Sequence, residues 1–329
     1  MLLATLLLLI GLLLLVYGAD RVVYGAAAVA HALGVAPLVI GMTIVSIGTS
    51  LPELTVSLSA VMHNQIDTAV GNVLGSNIAN ILLILGCAAL IRPLSVRSTL
   101  IRCELPLTLG ATILCGFLLY DNQLNRIDGV ILVTFFAAFL WMMLKIAHQA
   151  MSGEGDSYAR EQIAELPRGT SLPVALLWMA LGVIILPLAS RMVIDNASVL
   201  ARYLGVSELT IGLTVIAIGT SLPELATAVA GAIKGEQDIV LGNIIGSNTC
   251  NILMVLGIPA LIGSHDTQID GAAFGRDYWT MLAVTLILAL LCLRRRHSIG
   301  RPAGALLLGG FIAYVVLLYT QPSLIFYWD

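Results

Sequence analysis

Two glutamates in this sequence sit in the same unusual setting. Gly48-Thr49-Ser50-Leu51-Pro52-Glu53 and Gly219-Thr220-Ser221-Leu222-Pro223-Glu224 each put a carboxylate after a hydroxyl pair and a proline, near the middle of an apolar stretch. A charged carboxylate at a bilayer centre costs roughly 2.5–3.5 kcal/mol on insertion scales, so keeping two of them implies a use. Proline removes one backbone donor and pushes away the carbonyl of the preceding turn, while glycine permits the bend, so carbonyl oxygens are released from the helix ladder. In hydrocarbon, such irregular backbone survives only when buried in protein or lining a cavity, and a bound cation would satisfy it.

Helical spacing places Ser46, Thr49 and Glu53 on one face, and Ala217, Thr220 and Glu224 on the duplicate face. The next apolar segment in each case carries Gly71, Gly75, Ser76 and Asn80, matched by Gly242, Gly246, Ser247 and Asn251. The GxxxG spacing admits a second helix closely, and Ser and Asn at i and i+4 bring more oxygens to one side. With hydroxyl, amide, carbonyl and carboxylate oxygens and no thiolate or imidazole required, this donor set suits Ca²⁺ or Na⁺ over zinc or copper. Two carboxylates match the charge of one Ca²⁺, of two or more Na⁺ paired against them, or of two protons. Competition of these ions for one pocket is the physical basis of exchange. If the empty charged pocket is too costly to carry through an occluded state, the protein changes sides only when loaded.

Structural roles compete with these readings. Thr49, Ser50, Ser76 and their duplicates also suit intramembrane hydroxyls bonded to carbonyls one turn earlier. Asn72 and Asn243 read as interhelical hydrogen-bond glue, and the glycines as packing. Asp20, beside Arg21, reads as a snorkelling pair at a helix end, and Asp195 has no local basic partner assigned.

These residues belong to one sequence written twice. Gly41 to Gly86 aligns without a gap on Gly212 to Gly257 at a constant offset of 171, with 21 of 46 positions identical. An internal duplication follows. Each half holds five apolar spans, and because five is odd the second copy must cross the membrane in the opposite sense, the plan of inverted-repeat transporters.

Composition supports the membrane setting. Of 329 residues 59% are hydrophobic and 11% charged, with a mean hydropathy of +0.98. Sixteen Lys and Arg with nineteen Asp and Glu cannot cover a water-facing surface, which excludes a soluble enzyme. A net charge of −3 gives no reason to expect nucleic acid as a partner. The expected fold is an all-α polytopic membrane protein with ten spans, at 2–32, 36–61, 69–90, 105–120, 129–144, 172–203, 209–233, 239–262, 279–293 and 303–319. The first lacks a basic leader and reads as a retained helix. Residues 1–147 and 172–329 form the two five-helix repeats, and the polar stretch 148–171 connects them on the cytoplasmic side. Eleven basic residues (Arg92, Arg97, Arg102, Lys145, Arg160, Arg168, Lys234, Arg294, Arg295, Arg296 and Arg301) fall on one side of this topology, and Arg126, Arg202 and Arg276 on the other. Basic loops stay inside, so both termini should be periplasmic. The five cysteines are scattered without a CxxC pair and form neither a disulfide framework nor a zinc site.

The paired GTSLPE and GSNxxN blocks, in order and at this spacing, resemble the calcium/cation antiporter family, which includes sodium/calcium exchangers. The resemblance covers nearly the whole chain, with its specificity concentrated at 41–86 and 212–257. It implies a ten-helix inverted-repeat fold of the sodium/calcium exchanger type in a bacterial inner membrane, working by alternating access. By the same resemblance Glu53 and Glu224 are the calcium carboxylates. Thr49, Ser50, Thr220, Ser221, Ser76 and Ser247 are hydroxyl ligands, Ser46, Thr49, Ala217 and Thr220 carbonyl donors, and Asn80 and Asn251 complete the centre. Some relatives carry Asp where this chain has Asn251, so the neutral pair here resembles the potassium-independent exchangers. No cofactor is implied, and the transported ions are Ca²⁺ and Na⁺. Exchange of Ca²⁺ for H⁺ on the same architecture is the nearest alternative. A cation channel is the alternative of a different class, disfavoured because channels usually build their pore from oligomer symmetry. The histidines (His31, His63, His148, His265, His297) lie near segment ends or in loops, without HExxH or GxSxG, so catalysis has little to stand on.

Overall fold

A computed structural model of the chain describes residues 1–96, 100–151, 171–204, 217–263, 268–271, 273–293 and 298–320. The chain gathers into two compact units, one of Met1–Pro52 with Leu140–Asn243, the other of Glu53–Phe139 with Ile244–Asp329. Each unit takes segments from both halves of the sequence.

The first unit is built on two helices of 32 residues, Leu2–Leu33 and Leu172–Tyr203, packed along one another. At 1.5 Å per residue each is about 48 Å long, well beyond the roughly 30 Å of a hydrocarbon core. Small residues permit their close approach. A Cβ on Gly25 would lie 2.5 Å from the Met179 backbone nitrogen, and one on Gly182 would lie 2.7 Å from the Gly18 carbonyl oxygen. Between them Val22, Val23, Ala26, Ala30, Ala175, Met179, Leu186 and Ala189 form a fully buried apolar seam. Gly34, at φ 68°, ends the first helix in a left-handed cap that returns its N–H to the last turn, and Pro37 opens the next.

In the second unit the Ile66–Ile91 helix lies against Arg301–Thr320, where Gly86 and Gly304 bring the backbones together: a Cβ on Gly304 would sit 2.8 Å from the Gly86 carbonyl oxygen. Trp279–Leu293 packs beside the Ile66–Ile91 helix and against Leu105–Leu119. Among the described residues the helices are joined by a two-residue antiparallel ladder, in which Leu94 pairs with Ile299 and Ser95 with Ser298, and by an isolated bridge between Gln123 and Gln268. These short loop strands lie between helices and satisfy each other's backbone.

Among the described residues seven helices are long and apolar enough to cross a membrane. The bent pair Pro37–Thr49 and Leu51–Met62, meeting at 43°, makes an eighth. Leu105–Leu119 is apolar and shorter. Residues 205–216, where the expected seventh span begins and the second repeat block opens, lie outside the described residues, as does most of the 148–171 connector. Among the described residues five stretches run as π-helix: Gly41–Val45, Asn80–Ile84, Leu100–Glu104, Asn251–Leu256 and Ala273–Tyr278. Regular apolar periodicity does not announce such turns, which are frequent at functional sites.

Candidate functional site

The glutamates owe their position to a broken helix. In the first copy the helix stops at Thr49, Ser50 takes φ −83° and ψ 6°, and a new helix starts at Leu51. In the second copy Ser221 takes φ −86° and ψ 6° before Leu222–Lys234. The near-identity of the two breaks shows that the duplicated hexapeptide carries its own local geometry. Each break has a chemical cause. Pro52 and Pro223 have no N–H to donate to the carbonyl four residues earlier, and as first-turn residues they favour starting a helix over continuing one. Glu53 and Glu224 thus stand in the first turn of new helices, where the unpaired N–H groups and the helix dipole stabilise negative charge. The interruption also means that Ser46, Thr49 and Glu53 do not share one straight helical face, as the i, i+3, i+7 spacing suggests. Ser46 and Thr49 end one helix and Glu53 opens another.

Of the twelve residues singled out in the sequence, Ser46, Thr49, Ser50, Ala217, Thr220, Ser221 and Glu224 belong to the first unit, and Glu53, Ser76, Asn80, Ser247 and Asn251 to the second. All eleven whose side chains are described are buried. Ala217 opens the short Ala217–Thr220 helix.

In the first unit Glu224 is 1% exposed. The Ser50 hydroxyl donates to its Oε1 over a long 3.4 Å, and its Oε2 has no hydrogen-bond partner among the described residues. No lysine or arginine pairs with it there. Thr49 Oγ1 donates to Asn243 Oδ1 at 3.1 Å and lies 3.3 Å from the Ser46 carbonyl oxygen, which also accepts the Ser50 N–H at 3.0 Å. Ser46 Oγ returns to the Met42 carbonyl at 2.6 Å, the local back-bonding expected of a hydroxyl within a helix. One residue here is absent from the sequence reading. Ser190, fully buried on the Leu172–Tyr203 helix, donates at 2.7 Å to the carbonyl of Gly219, the group that Pro223 cannot serve. At the duplicate offset the first half has Ala19, so no internal repeat signals this serine.

In the second unit Asn72 Nδ2 reaches the Glu53 carbonyl oxygen at 3.0 Å and Ser57 Oγ at 2.9 Å. It therefore ties the Glu53-bearing helix to the next, as the interhelical reading of Asn72 expects. Deeper along the same helix four asparagines form a closed set. Asn80 Nδ2 donates to Asn248 Oδ1 at 2.9 Å and Asn251 Nδ2 to Asn77 Oδ1 at 3.1 Å. Asn77 and Asn248 donate to each other's backbone carbonyls at 3.2 and 3.4 Å. Asn77 and Asn248 occupy equivalent positions of the duplicated block, so the set is internally two-fold. Neither is among the candidate ligands that the sequence points to, although the identically repeated GSN carries both. Among the described residues no group of three or more His, Cys, Asp or Glu could hold a metal ion. The oxygens that the candidate residues offer are carboxylate, hydroxyl and amide, a donor set that suits a hard ion.

Comparisons with known proteins agree with this chemistry. The sodium/calcium exchanger protein family matches residues 3–145 and 174–320, one stretch on each side of the connector. The chain is 58% identical over 270 residues to the inner membrane protein YrbG of Escherichia coli, covering 82% of each chain. It is 39% identical over 124 residues to the sodium/calcium exchanger MaX1 of Methanosarcina acetivorans, 38% of this chain and 35% of that one. Among solved structures, the sodium-calcium exchanger NCX_Mj soaked with Na⁺ and Sr²⁺ superimposes with a TM-score of 0.82 at 30% identity, over 95% of this chain and 97% of that one.

Proposed function

We propose that this chain, which belongs to the sodium/calcium exchanger protein family, is a secondary antiporter that exchanges Ca²⁺ for Na⁺ across a bacterial inner membrane by alternating access. The observation that carries the reading is Glu224: a carboxylate 1% exposed, one oxygen unpartnered, with no basic side chain paired to it among the described residues. Burying an ionised carboxylate without a counter-charge is prohibitive, so the group must be neutralised by a metal cation or a proton, since no basic side chain among the described residues does so. A transported ion meets that requirement.

Glu53 and Glu224 serve as the calcium carboxylates. Thr49, Ser50, Thr220, Ser221, Ser76 and Ser247 contribute hydroxyl oxygens, Ser46, Thr49, Ala217 and Thr220 carbonyl oxygens, and Asn80 and Asn251 amide oxygens. Na⁺ is favoured as the counter-ion because MaX1 and NCX_Mj are each named as sodium/calcium exchangers. Ten helices as two inverted repeats, 1–147 and 172–329, with periplasmic termini, complete the reading. The duplication and the asymmetry of basic loops support it.

The test is ⁴⁵Ca flux in liposomes holding the purified protein, driven in turn by a sodium gradient and by a pH gradient. Sodium-driven uptake is expected, and Glu53→Gln or Glu224→Gln should abolish it while leaving the protein folded and inserted. Uptake driven by the pH gradient alone would replace Na⁺ with H⁺, and normal transport by either variant would remove the assigned carboxylate.

A further inference from the structure

Four buried asparagines of the second unit differ in what their two amide ends do. Asn77 and Asn248 spend both. Asn248 Nδ2 donates to the Asn77 carbonyl oxygen, and Asn77 Nδ2 to the Asn248 carbonyl oxygen and toward Met281 Sδ at 3.5 Å. Because a backbone carbonyl can only accept, the end facing it must be the NH₂ group. The other end of each is therefore an oxygen, Asn248 Oδ1 facing Asn80 and Asn77 Oδ1 facing Asn251. An amide oxygen can only accept, so Asn80 and Asn251 must offer it their NH₂ ends. The consequence falls on their far ends. Asn80 Oδ1 and Asn251 Oδ1 are buried, with no hydrogen-bond partner among the described residues. A flipped Asn80 would set two amide oxygens 2.9 Å apart and turn donors, which repel a cation, toward the unpartnered side.

We propose that Asn77 and Asn248 are positioning residues for cation binding, orienting the amides of Asn251 and Asn80 so that each presents its oxygen to the transported ion. Their reciprocal backbone bonds hold a two-fold amide pair whose only outward product is a matched pair of oxygens, one from each copy of the repeat. The two π-helices Asn80–Ile84 and Asn251–Leu256 begin at the oriented residues, so the backbone departs from regular helix in both copies where the oxygen is presented. This inference rests on the exchanger reading, in which Asn80 and Asn251 are ligands.

The test uses the apparent Ca²⁺ affinity (K0.5) of the full-length protein in liposomes. Asn248→Ala frees Asn80 to rotate and should raise K0.5 about 10- to 100-fold, the usual cost of losing an outer partner of a metal ligand. In an Asn80→Asp background both ends of residue 80 are oxygen, so no orientation is needed, and adding Asn248→Ala, which only removes an oxygen–oxygen contact there, should leave K0.5 unchanged or lower it. Asn77→Ala, alone and with Asn251→Asp, repeats the cycle on the other copy and serves if Asn248→Ala fails to fold. Equal losses in the two backgrounds, or a single variant with unchanged K0.5, would overturn the positioning role. Asn80→Ala separates the two layers. If it leaves K0.5 unchanged, Asn80 is no ligand and the reading beneath fails too; if it raises K0.5 while Asn248→Ala does not, positioning alone fails.

Discussion

Gly242→Ala tests how closely the first unit must pack to keep its oxygens in place. The helix starting at Gln237 meets the Pro37–Thr49 helix at Gly242 and Gly41, where a Cβ on Gly242 would lie 2.5 Å from the Leu38 carbonyl oxygen and 3.2 Å from Gly41 Cα. Real Cβ contacts begin near 3.0 Å and are relaxed from 3.4 Å, so the backbones must part by 0.5 to 0.9 Å. One residue further along, Thr49 Oγ1 donates to Asn243 Oδ1 at 3.1 Å. If the full separation reaches it, that distance becomes about 3.6–4.0 Å and the hydrogen bond is lost. Overpacking costs about 1–3 kcal/mol and leaving the buried Asn243 amide oxygen without its donor about 1–3 kcal/mol more, while alanine returns up to ~1 kcal/mol of helix propensity. The net expectation is a destabilisation of roughly 1–5 kcal/mol, with calcium uptake impaired because Thr49 is displaced. Thermal unfolding in detergent and ⁴⁵Ca uptake in liposomes read the two effects. Gly110→Ala, at an exposed helical position where a Cβ meets no described atom within 4 Å, is the control and should be neutral or slightly stabilising. A Gly242→Ala protein with the unfolding midpoint and uptake of the parent would refute the link between close approach and the threonine's position.

Two further outcomes follow from particular groups. Ser190→Ala leaves the Gly219 carbonyl without the donor that Pro223 cannot replace, and should lower stability by about 1–3 kcal/mol; an unchanged unfolding midpoint would show that another donor serves that carbonyl. Glu236 lies between two helices, and burial together with the charge of Asp238 holds its carboxyl above the ordinary 4.5, against the opposing pull of Lys234. The folded chain therefore binds this proton more tightly than the unfolded chain. Its contribution is most favourable below the unfolded pKa and is lost as pH rises through the folded one. Glu236→Gln should match the parent near pH 4 and exceed its thermal stability near pH 8, so a stability difference that ignores pH would refute the assignment.

The repeated hexapeptide was legible because its physics is local. A proline that cannot donate, a preceding glycine and a carboxylate near the middle of an apolar run specify a broken helix whatever surrounds it, and the matched torsions of Ser50 and Ser221 bear this out. The close approach at Gly242 was equally visible as a small residue in an apolar helix. The asparagine set was half visible. Asn80 and Asn251 drew notice by helical spacing from Ser76 and Ser247, but Asn77 and Asn248 lie one residue from those serines and look like packing until the two copies are brought together. Ser190 left no trace at all, since its partner is 29 residues away on another element and its repeat equivalent is an alanine.

By itself the sequence determined the solvent, the duplication and the chemical character of the candidate ligands, because hydropathy, self-similarity and oxygen donors are properties of residue type and order. It also determined where helices must break. Tertiary structure alone decided which polar groups are already spent on one another and which stay unpaired. The Asn77–Asn248 pair, the Ser190 donor and the oxygens of Asn80, Asn251 and Glu224 that find no partner among the described residues exist only once distant segments are packed. Hydrogen-bond satisfaction is a property of neighbours in space, and a one-dimensional chain specifies those neighbours only through its fold.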